Sequence, residues 1–89
     1  MEPFTGGLAP TRTADDPADQ VTALYEAHAA GLVRLAMLML ADQHAAEDVV
    51  QDAFLGLYRR WNSLADPARA LTYLRSSVLN GCRDALPRW

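Results

Sequence analysis

The chain has 89 residues and a net charge of −3, which suits one small domain and leaves no room for a second. Its one cysteine, Cys82, excludes a disulfide framework within the chain, and its two histidines are too few for a zinc-ligand cluster. The sequence contains no glycine-rich phosphate loop and no nucleophile with a plausible base nearby. We therefore expect neither an enzyme nor a bound cofactor or metal.

The charge is unevenly distributed along the chain. Residues 1–58 carry nine acidic residues and two arginines, a charge of −7, whereas residues 59–89 carry six arginines and two aspartates, a charge of +4. This division suggests two partners of opposite charge, such as a basic protein surface and nucleic acid, although a short chain can also acquire it by chance. The apolar stretch 32–41 is about half of the ~20 residues that cross a bilayer, so we expect a cytoplasmic chain without membrane insertion.

The first helix is predicted to follow a flexible tail. Residues 1–15 contain prolines and glycines without hydrophobic periodicity, which predicts the tail. Asp16 followed by Pro17 is typical of a helix start, and the apolar spacing predicts a helix that ends near Leu40. Its apolar stripe consists of Val21, Leu24, Tyr25, His28, Leu32, Leu35, Ala36 and Met39. Gly31 indicates either a bend or a close helix contact.

The second predicted helix has two distinct sides. Val50, Phe54, Leu57 and Trp61 form an apolar stripe at spacings of three and four. Either Asp42 or His44 can cap this helix. The opposite side carries acidic residues, an amide and one leucine: Glu47, Asp48, Gln51, Asp52 and Leu55. This side is either an ordinary solvated surface or a docking surface for a basic helical partner, and the pattern alone leaves both open.

The third predicted helix again starts with an aspartate and a proline, Asp66 and Pro67, and stops before Pro87. Its apolar stripe is Leu71, Leu74, Val78, Cys82 and Ala85, and a polar row consists of Tyr73, Ser77, Asn80 and Asp84. Arginines can contact phosphates, Asn80 can read base edges and Tyr73 can stack on a base. About six arginines on an acidic domain are a weak footprint for duplex DNA, so we expect recognition of a few unstacked bases while another partner supplies affinity.

These residues resemble a known family. Residues 46–54, AEDVVQDAF, are similar to the "AED-hydrophobic-hydrophobic-Q-E/D-x-F" signature of extracytoplasmic-function sigma factors of bacterial RNA polymerase. Two further matches stand at the family's spacing: residues 24–28 (LYEAH) with 32–36 (LVRLA) upstream, and residues 73–75 (YLR) with Asn80, Arg83 and Asp84 downstream. The similarity spans about residues 19–86.

The resemblance implies the region-two domain of such a factor, an all-α, compact three-helix bundle over residues 16–89. In that family the middle helix docks on the clamp helices of the polymerase β′ subunit. This implies polymerase binding by Glu47, Asp48, Gln51, Asp52, Leu55 and Tyr58. The loop 62–70 and the third helix are implied to recognise and melt the promoter −10 element and to hold one flipped base of the single non-template strand. The implied DNA-binding residues are Asn62, Arg69, Tyr73, Arg75, Ser77, Asn80, Arg83 and Asp84.

The resemblance also implies an anti-sigma factor that covers the clamp-binding side as a further partner. Three features depart from the family pattern. Tyr73 stands where a tryptophan is usual, Pro87 interrupts the arginines that normally close the third helix, and no helix-turn-helix domain for the −35 element lies within this chain. We therefore expect half of a factor, which does not direct a promoter alone. The alternative is a helical adaptor module without a DNA role.

Overall fold

A computed structural model describes residues 16–87 and shows an all-α fold. Helix α1 spans Pro17–Leu40, α2 spans Gln43–Arg60 and α3 spans Ala70–Ala85. Each helix packs against the other two, with α2 in contact with α1 and α3 along most of its length. The predicted three-helix bundle is thus confirmed. The predicted tail, residues 1–15, lies outside the described residues.

An aspartate precedes α1, α2 and the helical turn that leads into α3, as the sequence predicted. The carboxylates of Asp16 and Asp66 each accept the backbone N–H two residues further on, at 2.9 and 3.0 Å. Asp42 accepts the N–H of Ala45 at 3.1 Å, so Asp42, and not His44, caps α2. Each cap satisfies a helical N–H that would otherwise lack a partner, which is worth about 1 kcal/mol.

The connection from α2 to α3 differs from the predicted helix start. A 3₁₀ turn, Trp61–Ser63, follows α2, and a second one, Pro67–Arg69, precedes α3. The N–H of Arg69 bonds to the carbonyl of Asp66 at 2.9 Å, three residues back, so the chain is wound more tightly here than in an α-helix. The helical pattern therefore starts at Pro67 as predicted, but α3 itself begins only at Ala70.

The core forms where the apolar stripes of the three helices meet. Its buried residues are Ala29, Leu32, Ala36, Ala46, Val50, Ala53, Phe54, Leu57, Ala70, Leu74, Val78 and Cys82. Two residues predicted in the stripes are exposed instead. Ala85 is in the last turn of α3, and Tyr25 places the edge of its ring against Phe54, with centroids 5.0 Å apart, while 45% of the residue faces solvent. Edge-to-face contact lets a tyrosine cover the core from its rim.

Helix α1 is long and apolar enough to cross a membrane by length and composition alone, the one such helix within residues 16–87. One such helix is weak evidence of a membrane span, since the core helix of a soluble protein passes the same test. Ala29, Leu32 and Ala36 of α1 are buried, and 17% of the apolar window as a whole is buried. The helix ends at Leu40, as predicted, and the capping residue Ala41 adopts a left-handed conformation with φ 52° and donates its N–H to the Met37 carbonyl at 2.9 Å. This left-handed conformation carries no sequence signal, since glycine or asparagine is usual there.

Close packing of α3 on α2 depends on Gly81. A Cβ at this position would lie 2.8 Å from Cγ1 of Val49, a distance that side chains do not adopt. Valine has little freedom at χ1 in a helix, so it cannot turn aside cheaply. Gly31 of α1 is different, because its nearest neighbour would be the Arg34 guanidinium at 3.8 Å. The close helix contact considered for Gly31 is therefore found at Gly81.

We predict that Gly81→Ala destabilises the domain by up to about 2 kcal/mol, since the ~1 kcal/mol gain in helix propensity offsets only part of an overpacking cost of ~1–3 kcal/mol. Gly31→Ala is the matched control and should stabilise the domain by about 0.5–1 kcal/mol. Chemical denaturation followed by circular dichroism measures both. Adding Val49→Ala to Gly81→Ala should recover part of the loss relative to the single variant. Equal stabilisation by both glycine replacements would contradict the proposed contact.

Candidate functional site

The side of α2 opposite the core is open to solvent. Asp48, Gln51 and Asp52 are exposed, and Leu55 and Tyr58 have 50% and 51% of their surface exposed. Glu47, at the edge of this side, is half-buried and accepts a hydrogen bond from the Gln43 amide at 3.1 Å. We call this surface the acidic face: Glu47, Asp48, Gln51, Asp52, Leu55 and Tyr58. All six residues of the predicted polymerase-binding set thus lie on one accessible surface.

Helix α1 extends the acidic face, which the sequence pattern did not reveal. Tyr25 and Gln51 line two adjoining grooves between α1 and α2. One of them also contains Leu55 and Tyr58, and the other contains Glu26. The carboxylate of Glu26 adds to the negative charge, and the ring of Tyr25 adds apolar surface. Tyr25 has the same spacing as the core residues of α1, so the sequence pattern assigned it to the apolar stripe. Spacing alone does not distinguish a residue at the edge of a stripe from one at its centre.

A separate groove lies between α2 and α3. It is lined by Asp52 of the acidic face and by Tyr73, Ser77 and Asp84 of the predicted DNA-binding set, with Gly81 between the helices. Ser77 is half-buried here, whereas Asp84 is exposed. Two carboxylates in one groove repel a phosphate, so a nucleic-acid backbone cannot favourably lie along it. Three residues of the polar row predicted on α3, Tyr73, Ser77 and Asp84, therefore lie next to the acidic face.

Tyr73 lies at the junction of α3, α2 and the loop that connects them. Its hydroxyl is 3.1 Å from the position of a Cβ on Gly56, so the absence of a side chain at Gly56 makes room for it. On its other side Tyr73 lines a pocket of about 300 Å³ with Arg60, Ser63 and Leu64. Such a pocket offers an aromatic surface, an arginine and a hydroxyl to a flat polar ligand. Arg60 and Ser63 were not among the predicted site residues.

The outward side of α3 carries an ordered polar pair. The Arg83 guanidinium donates a hydrogen bond from Nη1 to the Asn80 side-chain carbonyl at 2.6 Å, and both residues are exposed. This bond occupies the acceptor of Asn80 and leaves its NH₂ group free to donate. Arg69 and Asn62, in the connection before α3, are exposed as well.

Arg75 does not share a side with the other predicted DNA-binding residues. At 100° per residue it lies about 200° around α3 from Tyr73. It lines a groove between α1 and α3 together with His28 and Arg34. The structure thus divides the predicted set between two sides of one helix.

Cys82 is sealed in the core, as predicted for a small apolar position. Burial raises the pKa of the Cys82 thiol above its ordinary value, so the thiol stays protonated and unreactive at neutral pH. Within residues 16–87 no cluster of three or more histidines, cysteines or carboxylates is arranged to hold a metal ion.

Comparison with known families agrees with this geometry. Residues 24–88, more than half of the chain, match the family model of sigma-70 region 2. The chain belongs to the sigma-70 region 2 family. No curated protein and no solved structure gives a significant match. Sigma-70 region 2 domains act in transcription initiation and promoter recognition, and they bind RNA polymerase core and promoter DNA without catalysing a reaction.

In this sigma-70 region 2 domain we predict that Arg83 orients the Asn80 side chain. Arg83→Gln should shift both side-chain amide proton signals of Asn80, because it removes the charged donor at 2.6 Å. It should change the free energy of unfolding by less than about 0.5 kcal/mol, since the pair is exposed. Two-dimensional NMR spectra measure the signals, and Arg69→Gln is the control of equal charge. Unchanged Asn80 signals would show that the two side chains are not paired in solution.

Proposed function

We propose that this domain belongs to an extracytoplasmic-function sigma factor, holds the polymerase β′ clamp helices with its acidic face, and reads the unpaired −10 element with α3. The accessibility of Gln51, Asp52 and Leu55 carries this proposal. A face enclosed within the domain could not dock, whereas here an exposed leucine stands among carboxylates. The proposal places the domain in the cytoplasm, where the polymerase is.

The composition of the acidic face supports docking rather than mere solvation. Asp48, Gln51 and Asp52 lie on the side of α2 that carries Leu55, three to seven residues before it. The exposed Arg59 follows four residues after Leu55, so an apolar centre lies within a charged and polar rim. Interfaces commonly derive most of their affinity from a few central side chains that a partner desolvates, while the rim sets orientation and encounter rate. A basic helical surface fits both parts, because long arginine or lysine stems cover the leucine and their charged ends reach the carboxylates.

We predict that Leu55→Ala weakens capture by a purified β′ clamp-helix fragment by at least tenfold, a loss of about 1.4 kcal/mol or more. Leu38→Ala is the matched control: Leu38 is 85% exposed on α1 and stands outside the acidic face. Both variants should keep wild-type circular dichroism, because neither leucine is in the core. Biosensor titration measures the affinities. Equal losses in the two variants would assign the effect to general hydrophobicity.

The polar part of the acidic face has its own test. Gln51→Ala combined with Asp52→Ala should abolish capture while helical circular dichroism stays intact, since both side chains are exposed. Asp84→Ala removes one carboxylate from the neighbouring groove and serves as the control for charge. Capture that is unaltered by the double substitution would reject the docking assignment.

For the promoter we propose that the Tyr73 pocket receives the flipped base and that Asn80 contributes to base preference. The pocket's volume of about 300 Å³, its aromatic wall and Arg60 at its rim support the first part. Stacking contributes about 1–3 kcal/mol per base, similar to the few kcal/mol needed to extrude one. Asn62, Arg69 and Arg83 are proposed to contact the backbone near it.

We predict that Asn80→Ala changes base preference at one position of the −10 element. The measurement selects bound strands from a randomised single-stranded pool, with the domain held on core polymerase. Ser76→Ala is the control, since Ser76 is exposed on the same helix and is not assigned to base reading. A uniform loss of binding across all sequences would instead make Asn80 a backbone contact.

The same acidic face is the proposed target of an anti-sigma protein. A regulator that covers Leu55 and its carboxylate rim excludes the clamp helices directly, without any change in the fold. In this proposal the domain supplies polymerase binding and −10 reading, and a separate helix-turn-helix domain reads the −35 element.

A further inference from the structure

We propose that the groove between α1 and α3 is a second DNA contact, which binds the phosphate backbone of the single strand after it leaves the base-reading side of α3. We call it the arginine groove, defined by His28, Arg34 and Arg75. The inference rests on the proposed promoter contact of α3 and adds to it a site on α1.

The charge of the arginine groove favours an anion. Arg34 and Arg75 are exposed, His28 is half-buried, and no carboxylate lines the groove within the described part of the chain. Among residues 16–87 neither guanidinium forms an ion pair or a side-chain hydrogen bond. Two unpaired cations in one groove of a net acidic chain repel each other, and a bound phosphate converts that repulsion into attraction. The guanidinium fork matches two phosphate oxygens at once.

Gly31 shapes the floor of this groove. The nearest group to a Cβ at Gly31 would be Nη2 of Arg34, at 3.8 Å, so the guanidinium lies back over the glycine. Ala27 and Ala30 line the groove, of about 380 Å³, together with the apolar residues Leu32, Leu35 and Leu71. No phenylalanine, tyrosine or tryptophan is among its described lining residues, so the ring of His28 and the two guanidinium planes are the flat surfaces it presents, and positive charge dominates its chemistry. Its chemistry selects phosphate charge, as a backbone contact requires.

A continuous path connects the Tyr73 pocket to the arginine groove. Going round the outward side of α3 from Tyr73 to Arg75, the helical spacing of 100° per residue gives the order Asn80, Arg69, Ser76, Arg83, Thr72 and Leu79. The first five of these are exposed, two are arginines and none is acidic. Asp84, the acidic residue of α3, lies on the other side of Tyr73, in the groove with Asp52. A strand that crosses α3 therefore meets only neutral or positive side chains before it reaches Arg75.

The test uses the isotopically labelled chain, bound to an unlabelled β′ clamp-helix fragment that neutralises the acidic face, and an oligothymidylate of 12 nucleotides at low salt. Backbone and arginine side-chain signals of Gly31, Arg34 and Arg75 should shift, together with those of Tyr73 and Asn80. Arg34→Gln should weaken binding about threefold. The double variant Arg34→Gln with Arg75→Gln should reduce the slope of log affinity against log salt by about 1.4 relative to the wild type, because each of the two arginines neutralises one phosphate and each neutralised phosphate contributes ~0.7 to the slope. Arg59→Gln, an equal charge change at an exposed site on α2, should leave the groove signals shifting as in the wild type.

Four results would overturn the inference. Equal losses of affinity in Arg34→Gln and Arg59→Gln would reduce the effect to net charge. Pyrophosphate that shifts the groove signals while the oligonucleotide does not would make the groove a site for a free phosphate ligand. Shifts at Tyr73 and Asn80 with none at Gly31, Arg34 and Arg75 would reject the groove and leave the proposed −10 contact standing. Shifts in neither region would reject both.

Discussion

One-sided burial of α2 is the constraint on which the rest of the domain depends. Val50, Ala53, Phe54 and Leu57 are buried between α1 and α3, and each large side chain contributes about 1.5–3 kcal/mol through burial. Rotating α2 about its axis would expose these apolar side chains to water. Their burial therefore fixes the orientation of α2 and directs the acidic face outward. The side chains of the acidic face contribute little, since their one side-chain hydrogen bond within residues 16–87 is the exposed contact between Gln43 and Glu47. Surface chemistry can thus vary on this helix at little cost to folding.

Two glycines determine how α3 sits on α2. Gly81 lets the backbone of α3 approach Val49, and Gly56 leaves room for the Tyr73 hydroxyl. The first brings the helices together, and the second fixes the depth of the aromatic ring beside the connecting loop. Together they position Tyr73 between the acidic face and the outward side of α3. The tyrosine thus presents its aromatic plane within a space that Gly56 bounds.

The local features of this fold could be predicted from the sequence because they depend on neighbours along the chain. Aspartate before proline marks helix starts, and apolar spacing defines the buried side of α2. Features that depend on distances between helices could not be predicted. Gly81 and Gly31 look alike in the sequence, yet only Gly81 meets another helix. The left-handed Ala41 has no signal either, because alanine rarely adopts this conformation and glycine or asparagine usually marks it.

The candidate site also combines features that lie within one helix, which were predictable, with contacts between helices, which were not. The grouping of the acidic-face residues was predictable, since all six belong to one helix and the helical repeat places them on one side of it. Family resemblance grouped Arg75 with Tyr73, although 100° per residue already separates them by about 200°. The sequence did not reveal which residues of α1 lie beside each of these surfaces. Tyr25 and Glu26 line a groove with Gln51, and Arg34 lines another with Arg75. These pairings depend on which flanks of the helices meet, and that is set by packing rather than by any one stretch of the chain.

The placement of charge gives the proposed function an order of events. Asp52 and Asp84 share a groove beside Tyr73, and helices in contact are about 8–10 Å apart, close to one Debye length at physiological salt. Asp52 is therefore incompletely screened from the phosphate of a nucleotide held beside Tyr73, and it opposes nucleotide binding there while the acidic face is free. A basic partner on that face neutralises the carboxylates and removes the repulsion, without moving a residue of α3. Under the proposed function, polymerase binding thus precedes promoter contact for an electrostatic reason, and the arginines of α3 need supply only local attraction.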